Sequence, residues 1–535
     1  MTEKRQLQEV FKTVGLPPYT YVKPEYYGEV KGDVLQEGRH LLIEGPSGIG
    51  KTCVVFKVFE ELAWDKGTDF GYVSCRDLGA IDAISDFLKT ALSGDPMRMR
   101  RLVIDDFHLL SKDTRAEIGS NLKRLSDQAF EKPDPPKVIL IGIPTTEASL
   151  LTDALDLGPR LGAYRFKRAT DLEIDRLIDE GENALKVLFE DSSALLAESD
   201  GNFWLAQYIC NKICAINGIY VEQDEPAIVT FDLLSIRQRL MTELSQKYMP
   251  TARTMAKGKK WRPGGNKPYL EVLLALSRIP ESVVTFDKLL VLVPENRKAG
   301  IKAIRSRIDE VIHDEAKGVD LRQQLAFDPD SGFSIEDPLF RYFLSNLDEA
   351  ELLADLGIDP STMAAARIYS YDIGFSFAGE VRAIVEAVNS ELKSEDVVTF
   401  YDFDQQAVLL GLDLQKTLTK IYSESCRYYL VFMDANYREK VWTRFEQDIL
   451  THGGRTGHII PVVLDEVGEA GLVGIPSTIA RINLRSAWGE LSTKGTLSTD
   501  ARNTLRNRCI LPMLEKLTEA PSLGAQGSET LRTSR

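Results

Sequence analysis

Gly45-Pro-Ser-Gly-Ile-Gly-Lys-Thr52 is the stretch that decides the fold. It follows a short apolar run, Leu41–Glu44, and opens an apolar-periodic run, Cys53–Leu62. A strand, a glycine turn and a helix in that order aim backbone N–H groups at an anion on the helix N-terminus. The spacing matches GxxxxGK[ST]. Gly45, Ser47, Gly48 and Gly50 shape the turn. Lys51 reaches the β- and γ-phosphates of a nucleotide, and Thr52 offers a hydroxyl to Mg²⁺.

Outward from this loop, strand-like runs recur at Asp69–Cys75, Arg101–Asp105 and Lys137–Ile143. Helical patterns at Ile81–Leu92 and Thr114–Ser126 separate them. Such alternation predicts a parallel sheet covered by helices. Leu102-Val-Ile-Asp105-Asp106 ends an apolar strand in two acids, where ligands bind in α/β sheets. Asp105 is the expected Mg²⁺ ligand, and Asp106 the group that polarises an attacking water. From Thr170 to Asn217 the pattern is helical, and Thr170-Asp-Leu-Glu173 reads as a capping box. Residues 226–345 mix small helices at Leu270–Leu276, Phe286–Leu292 and Ala303–Ile312 with a two-stranded wing, Leu325–Asp328 and Gly332–Ile335.

Residues 25–345 resemble the AAA+/STAND class of P-loop ATPases. The resemblance implies a γ-phosphate sensor at Thr145 or Thr146. It implies an arginine finger at Arg165, with Arg160 its rival. The Asp–Asp pair is similar to STAND ATPases rather than to the Asp–Glu of vigorous hydrolases, which implies slow turnover in a switch.

A second alternating region follows, with apolar strands at Ile368–Phe375, Val397–Tyr401, Tyr428–Met433, Ile459–Leu464 and Ile479–Leu484. Its first strand breaks at Ser376-Phe-Ala-Gly379, small enough for a ligand to approach the backbone. Phe400-Tyr-Asp402, Gly411-Leu-Asp-Leu414 and Trp442-Thr-Arg-Phe-Glu446 come next in order. The ordered set resembles a bacterial TIR domain over about residues 367–517. Trp442 and Glu446 lie four apart on a predicted helix and share a face. A carboxylate beside an aromatic wall suits glycosidic cleavage: the ring stacks, and the carboxylate stabilises positive charge on the ribose. The resemblance implies that Glu446 is catalytic in NAD⁺ cleavage, beside Trp442. It also implies that Ser376, Phe377, Ala378 and Asp402 line the nucleotide, and that a neighbouring copy contacts the loop Phe403–Gly411. Some NAD⁺-cleaving relatives carry an Arg in the first turn, where this chain has Phe377-Ala-Gly.

The expected fold class is therefore α/β and multidomain. A P-loop ATPase core spans 1–168, a helical lid 169–225 and a winged-helix-like connector 226–350. A flavodoxin-like TIR domain with a five-stranded parallel sheet spans 366–517, and a disordered tail 518–535. The 535 residues suffice for several cores. A net charge of -15 disfavours a general nucleic-acid coat. One basic island, Arg253 to Lys267 with Trp261, remains open between nucleic-acid contact and a flexible solvated loop. Six scattered cysteines without a CxxC pair fit a reducing cytosol. The N-terminus lacks the apolar region of a signal peptide, and no run is long enough to span a membrane. The expectation is a cytoplasmic, ATP- and Mg²⁺-controlled NAD⁺ hydrolase that self-associates and serves prokaryotic antiphage defence. A separate sensor protein or a nucleic acid is the expected trigger. A non-catalytic TIR scaffold, a producer of cyclic ADP-ribose and a DNA-associated ATPase are the alternatives.

Overall fold

A computed structural model gives the fold and describes residues 4–128, 135–143, 160–262, 264–314, 316, 321–329, 332–335, 337–401, 425–439, 458–466 and 479–519. Thr145, Thr146, Asp402, the loop 403–411, Trp442, Glu446 and the tail after 519 lie outside these residues. The chain divides into two units. The first is Met1–Tyr248 with Ile279–Phe286 and Leu321–Asn346. The second is Met249–Arg278 with Asp287–Asp320 and Leu347–Arg535.

The first unit is built on a five-stranded parallel sheet: β1 (His40–Glu44), β2 (Phe70–Ser74), β3 (Arg101–Asp105), β4 (Lys137–Gly142) and β5 (Leu161–Arg165), in the order β2-β3-β4-β1-β5. Its central strands are apolar on both faces because helices cover both. Helices α1 (Leu7–Val10), α2 (Tyr27–Leu35), α3 (Lys51–Glu61), α4 (Ala80–Ser93) and α5 (Lys112–Gln128) belong to this core. Successive strand residues point to opposite sides. Leu42, Ile104, Val138 and Leu140 therefore pack on α4 and α5. Leu41, Ile43, Ile139 and Ile141 pack on α2 and α3.

Three helices follow, α6 (Asp171–Leu185), α7 (Ser192–Ser199) and α8 (Phe203–Ile216). The capping box at Thr170 and Glu173 forms as read. The all-helical expectation for 170–217 needs correction, because β6 (Val187–Phe189) sits between α6 and α7 and pairs in parallel with β7 (Ala227–Val229). Its three residues are too few to show period 2 inside a helical pattern. The wing strands β9 (Leu325–Asp328) and β10 (Gly332–Ile335) pair antiparallel as expected, and β8 (Val283–Val284) adds a third strand. The helix read at Ala303–Ile312 is interrupted by a 3₁₀ turn, Arg305–Arg307, between Glu295–Ile304 and Ile308–Ile312.

The second unit carries another five-stranded parallel sheet: β11 (Tyr371–Ser376), β12 (Thr399–Phe400), β13 (Cys426–Met433), β14 (Ile459–Val463) and β15 (Ile482–Asn483), in the order β12-β11-β13-β14-β15. Ile373, Phe375, Leu430 and Phe432 pack on the helix Arg382–Ser394 and on Leu505 to Leu517. Tyr429, Val431 and Met433 fill the other face with Tyr437. All six cysteines are free thiols. Among the described residues, no helix is long and apolar enough to cross a membrane.

Candidate functional site

The loop after β1 turns by way of residues that no bulky side chain tolerates. Gly48 and Gly50 have φ of 78° and 87°. A Cβ on Gly48 would stand 2.5 Å from Asn202 Oδ1. Lys51 is buried, and its Nζ donates to Gly45 O at 2.8 Å and Pro46 O at 2.6 Å. Those carbonyls hold the ammonium over the turn where a phosphate chain would lie. Thr52 Oγ1 donates to Asp105 Oδ2 at 2.8 Å, bringing the loop to the end of β3. A hydroxyl and a carboxylate side by side are hard oxygen donors, so this pair fits Mg²⁺ held jointly with phosphate oxygens. Tyr72 donates to the same carboxylate oxygen at 3.0 Å.

Asp106 has a different environment. It sits at φ 55°, in the left-handed region. Its Oδ2 accepts from Ser74 Oγ at 2.8 Å and from Arg76 Nε at 2.9 Å, and Oδ1 accepts from Arg76 Nη2 at 3.2 Å. Burial pushes this carboxyl up, but the hydrogen bond and charge of Arg76 with the Ser74 hydroxyl outweigh it, and the net shift is downward. The sequence reading of Asp106 as a water-polarising group therefore meets a carboxylate already engaged by a cation. His108 is buried, and its Nδ1 accepts from the Ile143 N–H at 3.2 Å, a packing role.

A cavity of about 250 Å³ opens over the loop. One wall is Ser47 to Val54 with Asp105 and Asp106. The sequence reading missed the opposite walls: Lys12, Tyr21 and Val22 from the amino-terminal segment, and Phe203, Trp204 and Gln207 from α8. Asn202 caps α8 by accepting from Leu205 N at 3.0 Å, while its Nδ2 donates to Ser47 O at 3.0 Å. Trp204 N donates to Gly48 O at 3.1 Å. The start of α8 thus grips the phosphate-binding loop. Arg165 is exposed at the end of β5, in register with Glu44 of β1. Arg160 pairs with Asp127 at 2.7 Å.

In the second unit, Ser376 ends β11 and its Oγ lies 2.6 Å from Tyr437 OH. Ala378 is buried. Phe377 stacks on Tyr401 at 5.8 Å, and the Arg382 guanidinium lies over both rings. Arg382 Nη1 also donates to Tyr401 OH at 3.1 Å. Burial pushes the Tyr401 phenol up to about 12. These residues gather at the carboxyl ends of the strands, where α/β sheets take ligands.

The basic island is tied into its own unit. Its charges meet acids of the same unit. Arg253 forms a paired contact with Asp355, and Lys259 lies 2.7 Å from Glu310. Lys260 and Arg262 each lie 3.6 Å from Glu395. Asn266 donates through its N–H and Nδ2 to Asp372 Oδ1 at 2.9 and 3.1 Å. Lys267 is buried, and that burial lowers its ammonium to about 8.

Residues 373–494 match the family model described as TIR domain. A curated relative, the 3′ cyclic ADP-D-ribose synthase AaTIR of Aquimarina amphilecti, is 37% identical over 127 residues. That match spans 23% of this chain and 38% of the relative. Among solved structures, Orc1 of Aeropyrum pernix in complex with DNA is 14% identical and covers 66% of this chain and 98% of its own, with a TM-score of 0.34. Cdc6p of Pyrobaculum aerophilum is 15% identical, covers 65% and 98%, and has a TM-score of 0.31. The TIR match falls on the second parallel sheet, while Lys51, Thr52 and Asp105 meet at the carboxyl ends of strands in the first.

Proposed function

We propose that this chain cleaves the nicotinamide–ribose bond of NAD⁺ and that nucleotide at the phosphate-binding loop controls the cleavage. The observation that carries the reading is the TIR match over residues 373–494. In it, Glu446 stabilises positive charge on the ribose as nicotinamide leaves with the bonding electron pair. Water then attacks the anomeric carbon, giving ADP-ribose and a proton. Trp442 stacks on the ligand, and Ser376, Phe377, Ala378 and Asp402 line it. Nicotinamide leaves as a neutral molecule, so one carboxylate suffices.

ATP with Mg²⁺ binds at Lys51, Thr52 and Asp105, with Thr145 sensing the γ-phosphate. The exposure of Arg165 supports a finger that reaches a neighbouring copy. Self-association through both α/β regions completes the NAD⁺ site, in a cytoplasmic defence effector triggered by a separate protein or a nucleic acid. A hydrolase under such control would spare its host until infection.

The relative named as a 3′ cyclic ADP-D-ribose synthase favours a second reading. There a ribose hydroxyl replaces water as the nucleophile, and the same bond breaks. Incubation of the full chain with NAD⁺, with and without ATP and Mg²⁺, followed by chromatography separates the cases. Nicotinamide with ADP-ribose supports hydrolysis, and nicotinamide with a cyclic product supports cyclisation. No nicotinamide from either sample sinks both and leaves a scaffold. Glu446→Ala should abolish nicotinamide release and retain ATP binding.

A further inference from the structure

Strand β2 sends two hydroxyls to the two acids that end β3. Tyr72 and Ser74 lie two apart on β2, so their side chains leave the same face of the strand. The parallel register sets Ser74 beside Asp105. Ser74 Oγ donates to Asp106 Oδ2 at 2.8 Å, and Tyr72 OH donates to Asp105 Oδ2 at 3.0 Å. Each acid thus receives one hydroxyl from the neighbouring strand.

The Asp105 carboxylate is held from three sides. Thr52 of α3 and Tyr72 of β2 both donate to Oδ2, and the backbone N–H of Asp106 donates to Oδ1 at 2.9 Å. The torsion that swings a carboxylate about its Cβ–Cγ bond is soft and broad. Three donors shared between its two oxygens oppose that rotation. An ionised carboxylate only accepts, at about four lone-pair sites. Three are taken, and Asp105 lines the cavity over the glycine loop, so it keeps acceptor capacity for a cation or its water.

Tyr72 differs from Thr52 in where it stands. Thr52 lines the cavity and is itself an expected ligand of the metal. Tyr72 lies outside the cavity lining, so it meets a bound ion only by way of Asp105. Its ring is anchored elsewhere. The Phe56 ring lies 5.5 Å away, and the Lys66 ammonium stands 4.9 Å from the ring centre. The phenol is therefore a fixed point from which the carboxylate is aimed.

We propose that Tyr72 is a positioning residue for Mg²⁺: it fixes the Asp105 carboxylate for a cation held jointly with nucleotide phosphates. This rests on the reading of the cavity as a nucleotide site. Groups that orient the ligands of a metal carry about ten- to a hundredfold of its affinity.

The test is calorimetric titration of the full chain with ATP, once in Mg²⁺ and once in EDTA. The wild type should bind ATP more tightly in Mg²⁺. Tyr72→Phe keeps the ring and its packing. It should bind ATP about tenfold less tightly than the wild type in Mg²⁺, and as tightly as the wild type in EDTA. In an Asp105→Asn background, the same change should cost nothing further in Mg²⁺. Wild-type affinity of Tyr72→Phe in Mg²⁺ overturns the proposal. So does an equal loss in Mg²⁺ and EDTA, which a merely structural role would give, or a tenfold loss that persists beside Asp105→Asn. Equal wild-type affinity in Mg²⁺ and EDTA overturns the metal role of Asp105, and the proposal with it. Absence of ATP binding by the wild type in both buffers overturns the nucleotide-site reading itself.

Discussion

Gly48 and Asn202 should show strong coupling in a double-mutant cycle. Asn202→Ala removes the cap on Leu205 N, worth about 1 kcal/mol, and the bond to Ser47 O, worth about another. The single change should cost about 2 kcal/mol. Gly48→Ala puts a Cβ on a residue at φ 78°, which costs about 1 kcal/mol. That Cβ would also lie 2.5, 2.6 and 2.9 Å from Oδ1, Nδ2 and Cγ of Asn202, and relieving the overlap should cost about 2 kcal/mol more. Simple addition puts the double variant at about 5 kcal/mol. With Asn202 reduced to Ala the overlap vanishes, so the double variant should lose only about 3 kcal/mol. Hydrogen exchange read by mass spectrometry over peptides spanning 200–216 measures the local opening free energy without requiring one transition for the whole chain. Additivity within about 0.5 kcal/mol would refute the claim that the α8 cap and the phosphate-binding loop form one packed unit.

The remaining predictions concern charge. Arg76→Ala releases Asp106 and should raise ATP turnover several-fold, measured as phosphate release; an unchanged or lower rate would show that Asp106 does not act on water. His40 is buried, and burial lowers its imidazole from 6.5 to about 4. The unfolded chain therefore binds more protons between those values, so stability is full above about pH 6.5 and falls by about 3 kcal/mol on acidification to about pH 4. Urea unfolding of His40→Gln across that window should show a flatter pH slope than the wild type. Arg307 Nη1 lies 2.6 Å from Asp396 Oδ1, whose side chain is 3% exposed. Arg307→Met should cost about 2 kcal/mol by removing the nearest cation from a buried carboxylate that Arg262 and Lys259 still face, and adding Asp396→Asn should recover part of it in thermal melts.

Much of the phosphate-binding loop was legible because it is contiguous. Strand, glycines, Lys51 and Thr52 fall within thirteen residues, His40 to Thr52, and local sterics admit few alternatives. Asp105 was legible for the same kind of reason, as an acid ending an apolar run. The state of Asp106 was not, because Arg76 lies 30 positions away and meets it only through the pairing of β2 with β3. The ion pairs of the basic island were illegible for a related reason: its acids, Glu310, Asp355, Asp372 and Glu395, are distant in sequence and show no local charge balance. The short strand β6 was hidden inside helical periodicity.

The sequence by itself determined the glycine turn between β1 and α3, the acid that Thr52 meets, and the strand–helix alternation of both sheets. Spacing along the chain carries that information, because backbone geometry converts it into faces and turns. The tertiary structure alone decided what closes the cavity over the glycine loop. Thr20 and Gln207 are 187 positions apart, and one hydrogen bond between them fixes the sense of a buried amide. A side chain's donor or acceptor sense depends on its neighbours in space, and no spacing along the chain encodes it.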